Sequence, residues 1–148
     1  LSYFCKNYKH KYKILNTMAL YDQLPVYKAS YDLLLELYLV SKNMERDYKF
    51  TLGENIKNES TALILLIYKA NASFDKVALL TQAKEKVEVI RLLLRIYKDL
   101  KQLSAPQFVK VSDQLESVSK QINAWHASQN KLKNEQHLQG QSFKQPIV

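Results

Sequence analysis

Between Val26 and Met44 the apolar residues Tyr27, Tyr31, Leu34, Leu35, Tyr38 and Leu39 recur at steps of three and four, the period of an amphipathic helix. Pro25 stands just ahead, where a first-turn proline is tolerated because its missing N–H has no helical partner. Thr51-Leu-Gly-Glu54 reads as a capping box that opens a second helix running to about Ala72. Asn71 to Asp75 make a short turn, with Ser73 or Asp75 placed to cap a third helix that continues to about Leu103. Ser104-Ala-Pro-Gln107 repeats the same grammar of cap, early proline and glutamine. The fourth helix carries Phe108, Val111, Leu115, Val118, Ile122 and Trp125 at alternating steps of three and four, a narrow heptad seam.

Connections this short force successive helices to run antiparallel. The expected fold is therefore all-α, an up-down-up-down antiparallel four-helix bundle over residues 22–128. Residues 1–21 form an N-terminal extension, and Met18 is expected to be the native start because the preceding stretch differs in composition. Residues 129–148 are polar, rich in Gln and Lys and without periodicity, so a disordered tail is expected there.

Two helices are more apolar than a lone bundle requires. Leu63-Ile-Leu-Leu-Ile-Tyr68 covers the whole circumference of the second helix. On the third, Val87, Ile90, Leu94 and Tyr97 join Val89, Leu93, Ile96 and Leu100 in an arc of about 200°, roughly twice what a bundle interior occupies. The surplus predicts self-association, with Leu63, Leu66, Ile67, Leu93, Ile96 and Leu100 as the expected oligomer face. A wide core helix is the plainer explanation of the same arc.

Composition narrows the chemistry. With two glycines, far apart at Gly53 and Gly140, the 148-residue chain has no glycine-rich loop to cradle a phosphate. A single cysteine, Cys5, permits no internal disulfide and points to a reducing compartment, the cytoplasm. No stretch approaches the roughly 20 apolar residues that span a bilayer, so no membrane association is expected. The three histidines, His10, His126 and His137, stand in no Glu-x-x-His pairing of the kind that builds di-metal sites in bundles. Cys5 has no positioned base. The expectation is a protein that is not an enzyme, with no catalytic residues, no metal and no cofactor.

The formal net charge of +8 invites a nucleic-acid partner, but residues 18–128 hold 15 basic and 13 acidic side chains, so most of the surplus lies outside the bundle. Within it, Lys84, Arg91, Arg95 and Lys98 fall within about 60° of one another on the third helix. Such a ridge suits phosphate, which guanidinium forks grip bidentately and ammonium groups attract as point charges. Glu88 and Asp99 stand close enough for the same side chains to form ordinary helix ion pairs instead.

Leu24-Pro-Val-Tyr27 leading into Tyr31-Asp-Leu-Leu34, then Tyr48-Lys-Phe-Thr-Leu-Gly-Glu-Asn-Ile56, Lys69-Ala-Asn71, Ala83-Lys-Glu-Lys86, Arg91-Leu-Leu-Leu-Arg95 and Asp99-Leu-Lys101 resemble, in order and spacing, the Avd-like four-helix-bundle family. That family includes the accessory variability protein of diversity-generating retroelements and the proteins encoded in 23S rRNA intervening sequences. The resemblance covers about residues 22–127. It implies a non-enzymatic, ring-shaped homopentamer that binds a partner reverse transcriptase and, through basic surfaces, RNA or DNA. The intervening-sequence branch implies instead a self-associating bundle that serves protein partners only.

Overall fold

A computed structural model of the chain describes residues 21–142. Among them every regular element is helical. A 3-10 turn at Tyr21–Gln23 leads into α1 (Pro25–Lys42), α2 (Leu52–Ala72), α3 (Val77–Asp99) and α4 (Ala105–Ser142). A single helical turn, Arg46–Lys49, interrupts the connection between α1 and α2. Each helix packs against the next, and α4 closes the bundle against α1, leaving α1 diagonal to α3 and α2 diagonal to α4. Cross-links show the alternation of direction. Glu59 on α2 pairs with Lys86 on α3 at 2.8 Å, and Tyr97, further along α3, reaches back to Leu52 at the start of α2. The expected four-helix architecture is present.

The core is built from one stripe per helix: Val26, Leu33, Leu37 and Val40 from α1; Ile56, Leu63 and Ile67 from α2; Leu80, Val87, Ile90 and Leu94 from α3; Val111, Leu115, Val118 and Ile122 from α4. On α4 this is the heptad seam expected from the sequence, with Phe108 and Trp125 half-buried at its ends. On α1 it is not. Val26, Ser30, Leu33, Leu37 and Val40 point inward, while Tyr31, Leu35, Tyr38 and Leu39 stand 47–62% exposed. The interior stripe is hidden from a hydropathy reading by its serines. Ser30 and Ser41 each donate to the carbonyl four residues earlier at 2.7 Å, as does Ser60 on α2, so small hydroxyls fill the interior without an unmet polar group.

Helix ends are fixed by local chemistry, which departs from expectation at the start of α2 and at the end of α3. Ser104 and Gln107 form the reciprocal box predicted for α4, the Ser104 amide donating to Gln107 Oε1 at 3.0 Å and the Gln107 amide to Ser104 Oγ at 3.4 Å. Thr51 does not cap α2 in that way. Its hydroxyl donates to the Asp47 carbonyl at 2.9 Å, closing the preceding turn, and Glu54 pairs with Lys57 instead. At the other end of α2 the Lys76 ammonium donates to the carbonyls of Ala70, Asn71 and Ser73 at 2.8 to 3.0 Å. A cation there meets the negative end of the helix dipole, and partial burial lowers the ammonium's pKa.

α3 ends at Asp99, four residues short of the expected Leu103. The Gln102 amide donates to the Tyr97 carbonyl at 2.8 Å and the Lys101 amide to Lys98 at 3.0 Å, a Schellman closure. Lys101 holds the left-handed position, φ 57°, that glycine usually takes. A second difference concerns the polar tail expected from residue 129: α4 continues through it to Ser142. Gln, Lys, Glu and Leu are good helix formers and no proline intervenes, while Lys133 Nζ anchors the stretch to Asp75 Oδ2 at 3.0 Å. Residues 1–20, with the expected start at Met18, and 143–148 lie outside the described part.

Candidate nucleic-acid interface

Of the four basic side chains singled out on α3, Lys84, Arg91 and Lys98 stand at its seam with α4, while Arg95 is exposed on the same helix. Numbers fall on α4 as they rise on α3: Thr81 Oγ1 meets His126 Nε2 at 3.1 Å, Arg91 meets Glu116, and Lys98 meets Phe108. The seam therefore determines what each cation can do.

Arg91 is taken. One guanidinium nitrogen bonds Glu88 on its own helix, and Nη2 bonds Glu116 Oε2 at 3.1 Å. These carboxylates, the Glu88 hydrogen bond foremost, raise the Arg91 pKa and neutralise its field. The ion-pair alternative weighed for Glu88 is thus realised at this position. Lys98 stands with Nζ 4.6 Å from the Phe108 ring centroid, a cation–π contact that leaves its hydrogens available to a further partner. Lys84 and Arg95 are exposed, and among the described residues neither forms an ion pair, Asp99 included. So Lys84, Arg95 and Lys98 keep an outward charge, with a neutralised arginine between the first two.

The residues expected at an oligomer face divide. Leu63, Ile67 and Leu93 are 1%, 0% and 8% exposed and belong to the core of the single bundle, a correction to the expected surface. α2 and α3 are each buried against two neighbouring helices, which gives those three side chains partners within one chain. Leu66 and Ile96 are half-buried, and Leu100 is exposed. With Ile96, the exposed Val89, Leu92 and Leu100 make an apolar stripe along α3, beside the cations.

A second apolar surface was missed by the sequence reading. Tyr31, Leu35, Tyr38 and Leu39 are exposed on α1, and Leu65 and Tyr68 are exposed on α2, the helix packed against it. Tyr21 joins its edge, ring centroids 5.2 Å from Tyr27 and 5.3 Å from Tyr68, and Lys57 Nζ lies 5.1 Å from the Tyr38 ring. Two interleaved stripes on α1 were the available signal, since one set of residues cannot face both ways.

Between α3 and α4 opens a cavity of about 230 Å³, floored by Val87 and Ile122 and rimmed by Lys84, Glu85, Ser119 and Asn123. Among the described residues no three His, Cys, Asp or Glu side chains gather to hold a metal ion, and no helix is long and apolar enough to cross a membrane.

Comparison with curated proteins finds no match. A family model described as bAvd-like matches residues 24–129, from the residue before α1 into the second half of α4. The match spans all four packed helices and the seam that carries the cations, and on that footing the chain belongs to the bAvd-like family.

Proposed function

We propose that this bundle is a non-catalytic accessory protein that self-associates through its exposed apolar stripes and binds nucleic acid along the α3–α4 seam, in the service of a reverse transcriptase. The observation that carries the reading is the juxtaposition on α3: Lys84 and Arg95, without ion pairs among the described residues, run beside Val89, Leu92 and Leu100. An apolar stripe joins copies of the chain, and repeated copies multiply a basic ridge too small to hold a polyanion alone. Membership of an accessory family agrees with this, and the ring of five implied by the resemblance is one way to arrange it.

The test is binding of a structured RNA by the full chain across a salt series, beside Lys84→Gln with Arg95→Gln. Each lost phosphate contact reduces the slope of log affinity against log salt by about one. A variant with an unchanged slope, or a chain that binds nothing at low salt, rules the ridge out.

A second reading, a self-associating bundle that serves protein partners only, is favoured by the neutralisation of Arg91 between Glu88 and Glu116. Under it, Leu92→Glu disrupts assembly and loss of the basic side chains changes nothing.

A further inference from the structure

The groove between α1 and α2 is marked at both ends. Tyr21 bridges the two helices at one end, its ring centroid 5.2 Å from Tyr27 on α1 and 5.3 Å from Tyr68 on α2. At the other end Lys57 Nζ, from α2, lies 5.1 Å from the Tyr38 ring of α1. Between Tyr27 and Tyr38, steps of four, three and four place Tyr31 and Leu34 on the same face of α1. Tyr21, Tyr31, Tyr38 and Tyr68 are 44–51% exposed, so this aromatic face is left open.

The chain itself supplies a cover of matching length. Twenty residues precede Tyr21, and they join the fold at the end of the groove that Tyr21 closes. Coiled as a helix at about 1.5 Å per residue they reach about 30 Å, against about 27 Å for the 18 residues of α1. Their pattern suits that role. Leu1, Phe4, Tyr8, Tyr12, Leu15 and Ala19 recur at steps of three and four and fall in an arc of about 80°. Lys6, Lys9, Lys13, Asn16 and Thr17 occupy the other side, and no glycine or proline intervenes to break a helix.

We propose that residues 1–20 form an amphipathic helix that folds back antiparallel to α1 and lays its apolar arc in the α1–α2 groove, with its lysines toward water. The stretch ahead of Met18, which holds five of the six arc residues, then belongs to the fold. The contact is made within one chain and needs no nucleic acid, and the stripe on α3, diagonal to α1, remains for self-association.

Cys5 is the one cysteine of the chain, so a nitroxide attached to it labels a single site in the otherwise native sequence. Sixteen residues of helix back from Tyr21 carry it about 24 Å along α1, level with the last turns of that helix. In amide spectra of the full chain, the signals of Tyr38, Lys42 and Lys57 are expected to be lost, while those of Thr81 and His126, on the α3–α4 side, keep their intensity. Tyr8→Glu together with Leu15→Glu should restore the lost signals, with the α3–α4 signals in place as the sign of a folded bundle. Broadening of no particular face, or the same losses in the double variant, overturns the docked helix. Losses that appear in isotope-labelled chains without the nitroxide, when they are mixed with unlabelled chains that bear it, also overturn it, because the groove is then filled by a second copy.

Discussion

α1 and α4 carry apolar residues at similar helical spacing, yet they use them in opposite ways. α4 has a single seam, Val111, Leu115, Val118 and Ile122, and all of it is buried. α1 has two stripes side by side, and the one richer in large apolar side chains is the one left outside. Its inward stripe is Val26, Ser30, Leu33, Leu37 and Val40, and its outward stripe is Tyr31, Leu35, Tyr38 and Leu39. Hydropathy therefore ranks the two α1 faces in the wrong order. Shape ranks them correctly, because small serines bonded to their own helix let α1 approach its neighbours, whereas four large side chains, two of them with phenolic hydroxyls, would hold it away.

The sharpest way to break that comparison is to truncate a leucine on each α1 face. Leu37→Ala opens a cavity in the core and is expected to cost about 2–5 kcal/mol in urea unfolding at low protein concentration. Leu39→Ala, at a position 62% exposed, should stay within about 0.5 kcal/mol and act on assembly instead. Equal losses would mean that the two faces are not distinct.

Polar contacts extend the comparison at smaller scale. Buried Tyr97 donates its hydroxyl to the Leu52 carbonyl, and burial pushes the phenol's pKa well above its usual value. Tyr97→Phe leaves that carbonyl without the hydroxyl and should cost about 1–2 kcal/mol by the same unfolding measurement. Lys101, outside the core with φ 57°, should respond in the other direction. Lys101→Gly removes the left-handed strain of a Cβ and is expected to raise stability by about 0.5–1 kcal/mol.

The smallest effect is expected for the exposed Asp75–Lys133 pair. The hydrogen bond from Lys133 holds the folded Asp75 carboxyl below its ordinary 3.8. Its contribution is complete above that value and is lost as pH falls through the lower folded value, so Asp75→Asn should flatten the acid limb of a Tm–pH profile and leave neutral pH nearly untouched. A change confined to neutral pH would place the pair's role elsewhere.

Fold class was legible in the sequence because three independent signals agreed at α4: the Ser104–Gln107 cap, the early Pro106 and the unbroken seam to Trp125. The Thr51 cap was misread because a hydroxyl at a helix start has two sets of backbone groups in reach, and the turn at Arg46–Lys49 supplied the better acceptor. The basic ridge was legible as four cations on one helix. What they can bind was not, because the carboxylate that closes on Arg91 from α4 lies 25 residues away in the chain and only packing brings it near. Leu63, Ile67 and Leu93 were assigned to a surface for the same reason: one helix's pattern does not tell how many neighbours it has.

The four helices close as a ring in chain order, and that has a kinetic consequence. Three of the four packed faces join consecutive helices across short connections, and their contacts form at small sequence separation. Only the α1–α4 face, marked by the Lys110–Glu36 bond across 74 residues, requires a long loop to be closed. Contacts of that kind are the slow ones in folding, since chain entropy is lost before they give anything back. Chain collapse should therefore proceed hairpin by hairpin, with the docking of α4 on α1 as the late step, and substitutions on that face should show up mainly as faster unfolding.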